Sequence, residues 1–333
     1  MKKIQILMST YNGEKYLREQ LDSILEQDCE KKGLAKLSLF VRDDGSSDNT
    51  QKILQEYQEK YSDRLQWVQG ENCGVIRSFF ELLQNADMGA DFYALSDQDD
   101  FWMPDKLSSG IISLEKAEKS YGRMLSESHI DKKVPRLYCC RPRLVDADLL
   151  ELPSEIKRPP VRAGFGNALI ENVVTGCTVV MNQTLRNLVV RQLPEFTVMH
   201  DRWLYLVASC FGEVIYDETP HICYRQHGGN VVGTNSSRTS EWKERLAGFR
   251  RKRHDISRQT AEFIRIYDLM TMESGYEFAD RESAEENLHL AKDLAAAKHS
   301  FFRRMHLVGE NKLYRQRKND NRIFKILILL GSY

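Results

Sequence analysis

Ile4-Gln5-Ile6-Leu7-Met8-Ser9-Thr10-Tyr11-Asn12-Gly13 begins as an apolar run and stops on a polar, turn-forming cluster. The first five residues read as a buried strand, and the next five as the loop at its carboxyl end. Leu17, Leu21, Ile24 and Leu25 follow at i, i+4, i+7 and i+8, the spacing of one helix face. The same pair of patterns then repeats. Residues 37–41 predict a second strand, ending at Asp43-Asp44-Gly45-Ser46-Ser47-Asp48, with Ser47 or Asp48 as N-cap of a helix through Ile53, Leu54 and Tyr57. Residues 65–68 predict a third strand and 76–83 a third helix. A fourth strand over 91–95 stops at Ser96-Asp97-Gln98-Asp99-Asp100. Strand–helix alternation predicts an α/β fold with a mostly parallel, doubly wound sheet, because parallel neighbours need crossover helices.

Ligands of such sheets bind beyond the carboxyl ends of the strands. Three polar clusters converge there: Ser9-Thr10-Tyr11, Asp43-Asp44 and Asp97-Gln98-Asp99. Neither G-x-G-x-x-G nor G-x-x-x-x-G-K-[ST] occurs, which disfavours the usual dinucleotide site and a P-loop, and H-E-x-x-H is absent as well. Carboxylates stand where those glycines would be. They would repel a bare pyrophosphate, and they make sense if a divalent cation bridges carboxylate and phosphate oxygens. An Asp-x-Asp alone is a weak signal, since acidic turns are common. Here Phe101-Trp102-Met103-Pro104-Asp105-Lys106-Leu107 follows at once, which suggests a shaped wall and not a free turn.

Further along, residues 137–140, 178–181, 214–216 and 222–224 are strand candidates, and 201–209 predicts a helix. A Gly/Ser/Thr-rich stretch around Asn235-Ser236-Ser237 reads as a linker. It divides the chain into 1–235 and a mainly helical region, 236–333. The formal net charge of the 333 residues is zero, which argues against a surface devoted to nucleic acid. That zero conceals an asymmetry. Residues 241–333 hold 19 Lys and Arg against 14 Asp and Glu, leaving the first 240 residues at −5. The basic clusters Arg250-Arg251-Lys252-Arg253 and Arg315-Gln316-Arg317-Lys318 read either as a solvated helix face or as a patch for anionic lipid, with residues 323–330 as a shallow apolar anchor. Seven scattered cysteines with no C-x-x-C spacing read as free thiols of a reducing, cytoplasmic compartment. No apolar run approaches the ~20 residues that span a bilayer.

Taken in order, Leu7-Met8-Ser9-Thr10-Tyr11-Asn12-Gly13, Arg42-Asp43-Asp44-Gly45-Ser46-Ser47-Asp48-Asn49-Thr50 and the 96–107 segment resemble the signature of family 2 inverting glycosyltransferases with the GT-A fold. Asn172-Val173-Val174-Thr175-Gly176-Cys177-Thr178, Met199-His200-Asp201-Arg202-Trp203 and Tyr224-Arg225-Gln226-His227-Gly228-Gly229-Asn230 resemble the rhamnosyltransferase branch that builds bacterial cell-wall and capsular polysaccharides. The resemblance covers residues 1–235 and extends loosely beyond. It implies a nucleotide-sugar site in which Thr10, Tyr11 and Asp43 meet the pyrimidine base with Arg77 beside it. It further implies Asp97 on the ribose, Asp99 on Mg²⁺ or Mn²⁺, His227 near the metal or diphosphate, and Asp201 as catalytic base. Trp102 is the candidate sugar wall, and Asp44 the carboxylate that holds its turn. The implied donor is dTDP-β-L-rhamnose, and the implied acceptor a lipid-linked saccharide at the inner membrane face. Two departures stand out: Cys177 where this branch often has glycine, and His200-Asp201 where many members have Glu-Asp. Asp201 also reads as a plain helix N-cap, and His227 equally as a turn residue. A UDP-hexose donor and a non-catalytic nucleotide-binding scaffold are the rival readings.

Overall fold

β1 (Lys2–Thr10) is the third strand of a seven-stranded sheet, and the other six strands are arranged around it. The computed structural model describes residues 1–124, 134–153, 160–226, 254–272 and 280–333. After β1 come α1 (Leu17–Leu25), β2 (Ala35–Asp43), α2 (Thr50–Lys60), β3 (Leu65–Gln69), α3 (Val75–Asn85) and β4 (Phe92–Ser96). This is the predicted alternation: β1 and β2 run two residues past their apolar stretches at each end, α1 keeps the bounds Leu17–Leu25, and β4 is shifted by one residue. Asn49 and not Ser47 or Asp48 occupies the N-cap of α2, although Asp48 Oδ1 still accepts from Thr50 N at 2.9 Å.

Past β4 come β5 (Phe101–Trp102), α4 (Lys106–Met124), β6 (Arg136–Cys140), β7 (Arg143–Val145), α5 (Phe165–Ala168), a 3-10 turn over Gly176–Thr178, β8 (Val180–Asn182), α6 (Gln183–Arg191), α7 (His200–Phe211), β9 (Glu213–Asp217) and β10 (Ile222–Arg225). The large sheet runs β3-β2-β1-β4-β8-β6-β9, and β5, β10 and β7 form a small second sheet. Every pairing in the large sheet is parallel except those of β8, which runs against β4 and β6. The 3-10 turn leads directly into β8.

Strand alternation distributes the core over both faces of the sheet. Ile4, Ile6 and Met8 face α1, α2 and α4 through Leu17, Leu21, Ile53, Leu54, Leu107 and Ile111. Leu7, Tyr93 and Leu95 face the other way, toward α3, α6 and α7. That second core continues into α8 (Asp255–Met272), α9 (Arg281–Ala297), α10 (Phe301–Gly309) and α11 (Lys318–Leu329). Phe263 of α8 lies 5.8 Å from Trp203 of α7 and 6.1 Å from Phe211 between ring centroids. The stretch before α11 is fastened to the segment around α5. Tyr314 O accepts from Asn167 Nδ2 at 2.9 Å, and Arg315 Nη2 donates to Ile170 O at 3.1 Å. Gly166 permits this approach, because a Cβ there would collide with the Lys312 carbonyl. So the Arg315-Gln316-Arg317-Lys318 cluster is in part a docking seam. The expected linker, the 250–253 cluster and the boundary between 235 and 236 lie outside the described residues. Among the described residues no helix is long and apolar enough to cross a membrane.

Candidate active site

The loops after β1, β2 and β4 are tied to one another by side-chain amides and carboxylates. Gln98 spans two of them: its Oε1 accepts from Tyr11 N at 2.7 Å and its Nε2 donates to Tyr11 O at 2.9 Å. Gly13 leaves room for that amide, since a Cβ would strike Gln98 Oε1. Asn12, in the left-handed region at φ 49°, accepts from Ser47 N at 2.8 Å and donates its own N–H to Ser46 Oγ at 2.8 Å. Asp43 is fully buried, and its carboxylate accepts from Thr10 Oγ1 at 3.2 Å, Ser46 N at 3.1 Å and Gln51 Nε2 at 2.9 Å. Thr10 and Asp43 therefore form a bonded floor, while the Tyr11 ring stands half-exposed above it. Asp44 pairs with Arg42 and accepts from Cys73 N at 3.0 Å and Gly74 N at 2.9 Å. Burial opposes its charge, but these donors outweigh burial and hold its pKa below the ordinary value. They also fasten the start of α3, which carries Arg77, to the β2 loop. Arg77 is exposed and pairs along the helix with Glu81 at 3.3 Å.

Residues 97–100 cross from the large sheet, at the end of β4, to the small sheet at β5. Asp97 and Asp99 are partly buried and Asp100 fully so. Cys177, fully buried in the 3-10 turn, closes the cluster: ligand atoms of Asp97, Asp100 and Cys177 lie within 4.8 Å of one another. Burial, then the charges of Asp99 and Asp201, pushes the Asp97 carboxyl up to about 7. Asp100 is raised well above its ordinary value by burial and by Asp97 and Asp99. Clustered, half-desolvated carboxylates of this kind fit a hard divalent cation, whose charge would reverse both shifts. His227, expected near that cation, lies outside the described residues.

Trp102 corrects an expectation. It is 1% exposed, its backbone N donates to Ser23 Oγ at 3.1 Å, and Lys106 Nζ sits 3.3 Å from its ring centroid. Strand alternation in β5 turns the ring inward among Met8, Leu107 and Ile111, so it offers no face to a sugar.

Arg225, to which the sequence motif gives no role, braces the acidic loop. The guanidinium is 1% exposed, with Nε donating to Asp99 O at 2.9 Å and the other nitrogens bonding Ala147 O and Glu19 of α1. Its backbone N donates to Asp100 Oδ1 at 3.2 Å, and its guanidinium stacks 4.4 Å over the Tyr16 ring.

Asp201, in the first turn of α7, is buried and held from two directions. Asn172 Nδ2 donates to Oδ1 at 3.0 Å, Gly176 N to Oδ2 at 3.0 Å, and Arg202 N to Oδ1 at 2.6 Å. The N-cap of α7 is Met199, so Asp201 is a helical residue and not the cap. Burial pushes its carboxyl up to about 6 in spite of those three donors. Neighbouring His200 stacks on Phe79 at 4.1 Å, and burial lowers its pKa to about 3, so it is a neutral packing residue. Asn172 and Gly176 had no assigned role in the sequence. Their one signal was membership of the segment that also carries Cys177.

Comparison with known proteins agrees with this geometry. Residues 5–138 match the family model described as Glycosyl transferase family 2. A dTDP-rhamnosyl transferase, RfbG, of Shigella flexneri is 30% identical over 246 residues, 71% of this chain and 77% of that one. An uncharacterized glycosyltransferase of Rickettsia prowazekii (strain Madrid E) is 24% identical over 250 residues, covering 75% and 72%. Among solved structures, S. aureus TarS residues 1–349 in complex with UDP-GlcNAc superposes with a TM-score of 0.50 at 16% identity, covering 99% of this chain and 93% of that one, a likeness of fold. The strand order, the acidic loop between two sheets and the extent of the sequence match lead to one assignment: this chain belongs to glycosyl transferase family 2 and is a GT-A glycosyltransferase.

Proposed function

We propose that the protein is an inverting, metal-dependent rhamnosyltransferase that moves L-rhamnose from dTDP-β-L-rhamnose to a hydroxyl of a lipid-linked saccharide. The observation that carries this reading is Asp201: a buried carboxylate that accepts from Gly176 N at 3.0 Å, next to the Cys177 that closes the strand-end acidic cluster, with burial raising its pKa to about 6. A single displacement needs a base for the acceptor hydroxyl on one side of the anomeric carbon and a stabilised leaving diphosphate on the other. Asp201 takes the acceptor proton on its carboxylate, and Asn172 and Gly176 fix the direction in which that carboxylate points. Asp99 would hold Mg²⁺ or Mn²⁺, which when bound neutralises the leaving diphosphate. In this reading the base lies on the floor formed by Thr10 and Asp43, with the exposed Tyr11 and Arg77 side chains beside it, and Asp97 meets the ribose. Rhamnose as the sugar rests on the relatedness to the Shigella flexneri dTDP-rhamnosyl transferase. The lipid-linked acceptor places the reaction at the cytoplasmic face of a membrane.

The test is ligand-dependent melting followed by turnover. dTDP-rhamnose with Mg²⁺ or Mn²⁺ should raise the melting temperature more than UDP-glucose or UDP-GlcNAc at equal concentration, because a ligand of the native state stabilises it. Product linkage should be inverted. A larger shift with a UDP-sugar would move the donor assignment to a UDP-hexose. Binding without turnover on any saccharide acceptor would favour the scaffold reading.

A further inference from the structure

Residues 298–333 hold nine Lys and Arg against two Asp and Glu, so this one stretch carries more positive charge than the net +5 of residues 241–333. The same stretch forms α10 and α11, which pack on each other. Both helices are apolar on two sides. Inward, α10 buries Leu307 and α11 buries Phe324 and Ile328. Outward, α10 exposes Phe301, Phe302 and Met305, with Phe302 at 83%. On α11 the outward residues Ile323, Ile326 and Leu330 recur at i, i+3 and i+7, a single helical stripe, with Leu330 at 68%. The expected anchor over 323–330 is thus split, one stripe in the core and the other facing out. Arg304 joins the two exposed faces: its guanidinium lies against Gly331, beside Leu330, and 5.8 Å from the Phe301 ring. Arg303, Lys312, Lys318 and Arg322 are exposed around them.

We propose that this face of α10 and α11 docks on an anionic lipid bilayer, with the apolar side chains at the headgroup boundary and the basic ones on lipid phosphates. Charge chooses the occupant. A second copy meeting the same face about a two-fold axis would bring a like excess of positive charge against itself. A nucleic acid could stack on Phe301 and Phe302 but would leave Met305, Ile323, Ile326 and Leu330 without a partner, whereas the headgroup boundary of a bilayer takes all six. The inference deepens the proposed function, since a lipid-linked acceptor would be met at that surface, but its test uses neither donor nor acceptor, so either reading can fail alone.

The experiment is co-sedimentation of the full chain with vesicles of phosphatidylcholine alone and of phosphatidylcholine with one-third phosphatidylglycerol, at 50 and 500 mM NaCl. Binding should appear on the anionic vesicles, fall at least tenfold at the higher salt and be weak on the neutral ones. Phe302→Ser with Ile326→Ser should lower partitioning by roughly tenfold or more, with an unchanged melting temperature because both side chains are exposed. Arg303→Gln with Arg322→Gln should lower it by a similar factor. Equal binding to both vesicle types, absence of binding, or full binding by either double variant would overturn the proposal. So would a wild-type oligomer in sedimentation velocity that Phe302→Ser with Ile326→Ser converts to monomer, which would make the face an interface between copies.

Discussion

At the scale of single residues, the proposed mechanism turns on the protonation of Asp201. A base raised to about 6 is largely ionised at neutral pH yet basic enough to share a proton with a hydroxyl in the transition state. Catalysis needs the deprotonated form, so kcat/KM should climb with pH up to about 6 and level above it. Asp201→Asn should cut turnover ~10²–10⁴-fold and remove that rise. Asn172→Ala tests the geometry more closely. Its amide is one of the three donors that favour the carboxylate, and a hydrogen bond to a charged group is worth about 1.5–3 kcal/mol. Losing it should move the rise upward by about one pH unit with the fold intact. A steady-state pH profile of the three proteins decides the matter. An unmoved profile in Asn172→Ala, or near-normal turnover in Asp201→Asn, would remove Asp201 from the reaction.

At the scale of elements, the acidic loop keeps its shape because it is strung between two sheets and stapled from a third direction by Arg225. Glu19 would lose its partner in Arg225→Ala, but it is half-exposed and water can replace the guanidinium. The Asp99 and Ala147 carbonyls lose a donor as well, which is the costlier consequence where water cannot enter. Arg225→Ala should therefore cost about 2–4 kcal/mol in urea unfolding. Arg225→Lys should recover part of that stability, yet not the fork that reaches two carbonyls and a carboxylate at once. Half-activation by Mn²⁺ should need several-fold more metal in the lysine variant while acceptor KM stays put. Equal shifts in both would mean a general loosening and not a brace on the acidic loop. This staple also marks the limit of what periodicity can reveal. Eight strands are readable as short apolar runs, and α1 to α3 and α7 because their apolar residues recur along one face or follow a polar start. β5 and β7, with two and three residues, are too short to show a period. The three polar loops could be placed at one edge from strand order alone, but the 25-residue separation of Gly176 from Asp201, and the turning of Trp102 inward, are products of tertiary packing.

At the scale of the whole molecule, described residues from both sides of the expected boundary at 235 share one core. Trp203 and Phe211 belong to the helix that carries Asp201, and Phe263 and Tyr267 of α8 cover them at centroid distances of 4.9–6.1 Å within the group. Without α8 to α11 those rings would face water, each losing about 1.5–3 kcal/mol of burial. The helix that carries Asp201 is thereby supported from behind by the C-terminal region, and we expect the two to unfold together. Phe263→Ala removes a fully buried ring from the centre of the cluster and should cost about 3–5 kcal/mol, a large share of a typical domain's total stability. Urea unfolding followed by Trp fluorescence and by far-ultraviolet dichroism should give one coincident transition in wild type and variant, with the variant's midpoint lower. A chain cut at residue 235 should lose donor-dependent melting altogether. Two separated transitions, or a truncated chain that still melts sharply and binds donor, would restore a catalytic half that stands by itself, with the helices as an appendage.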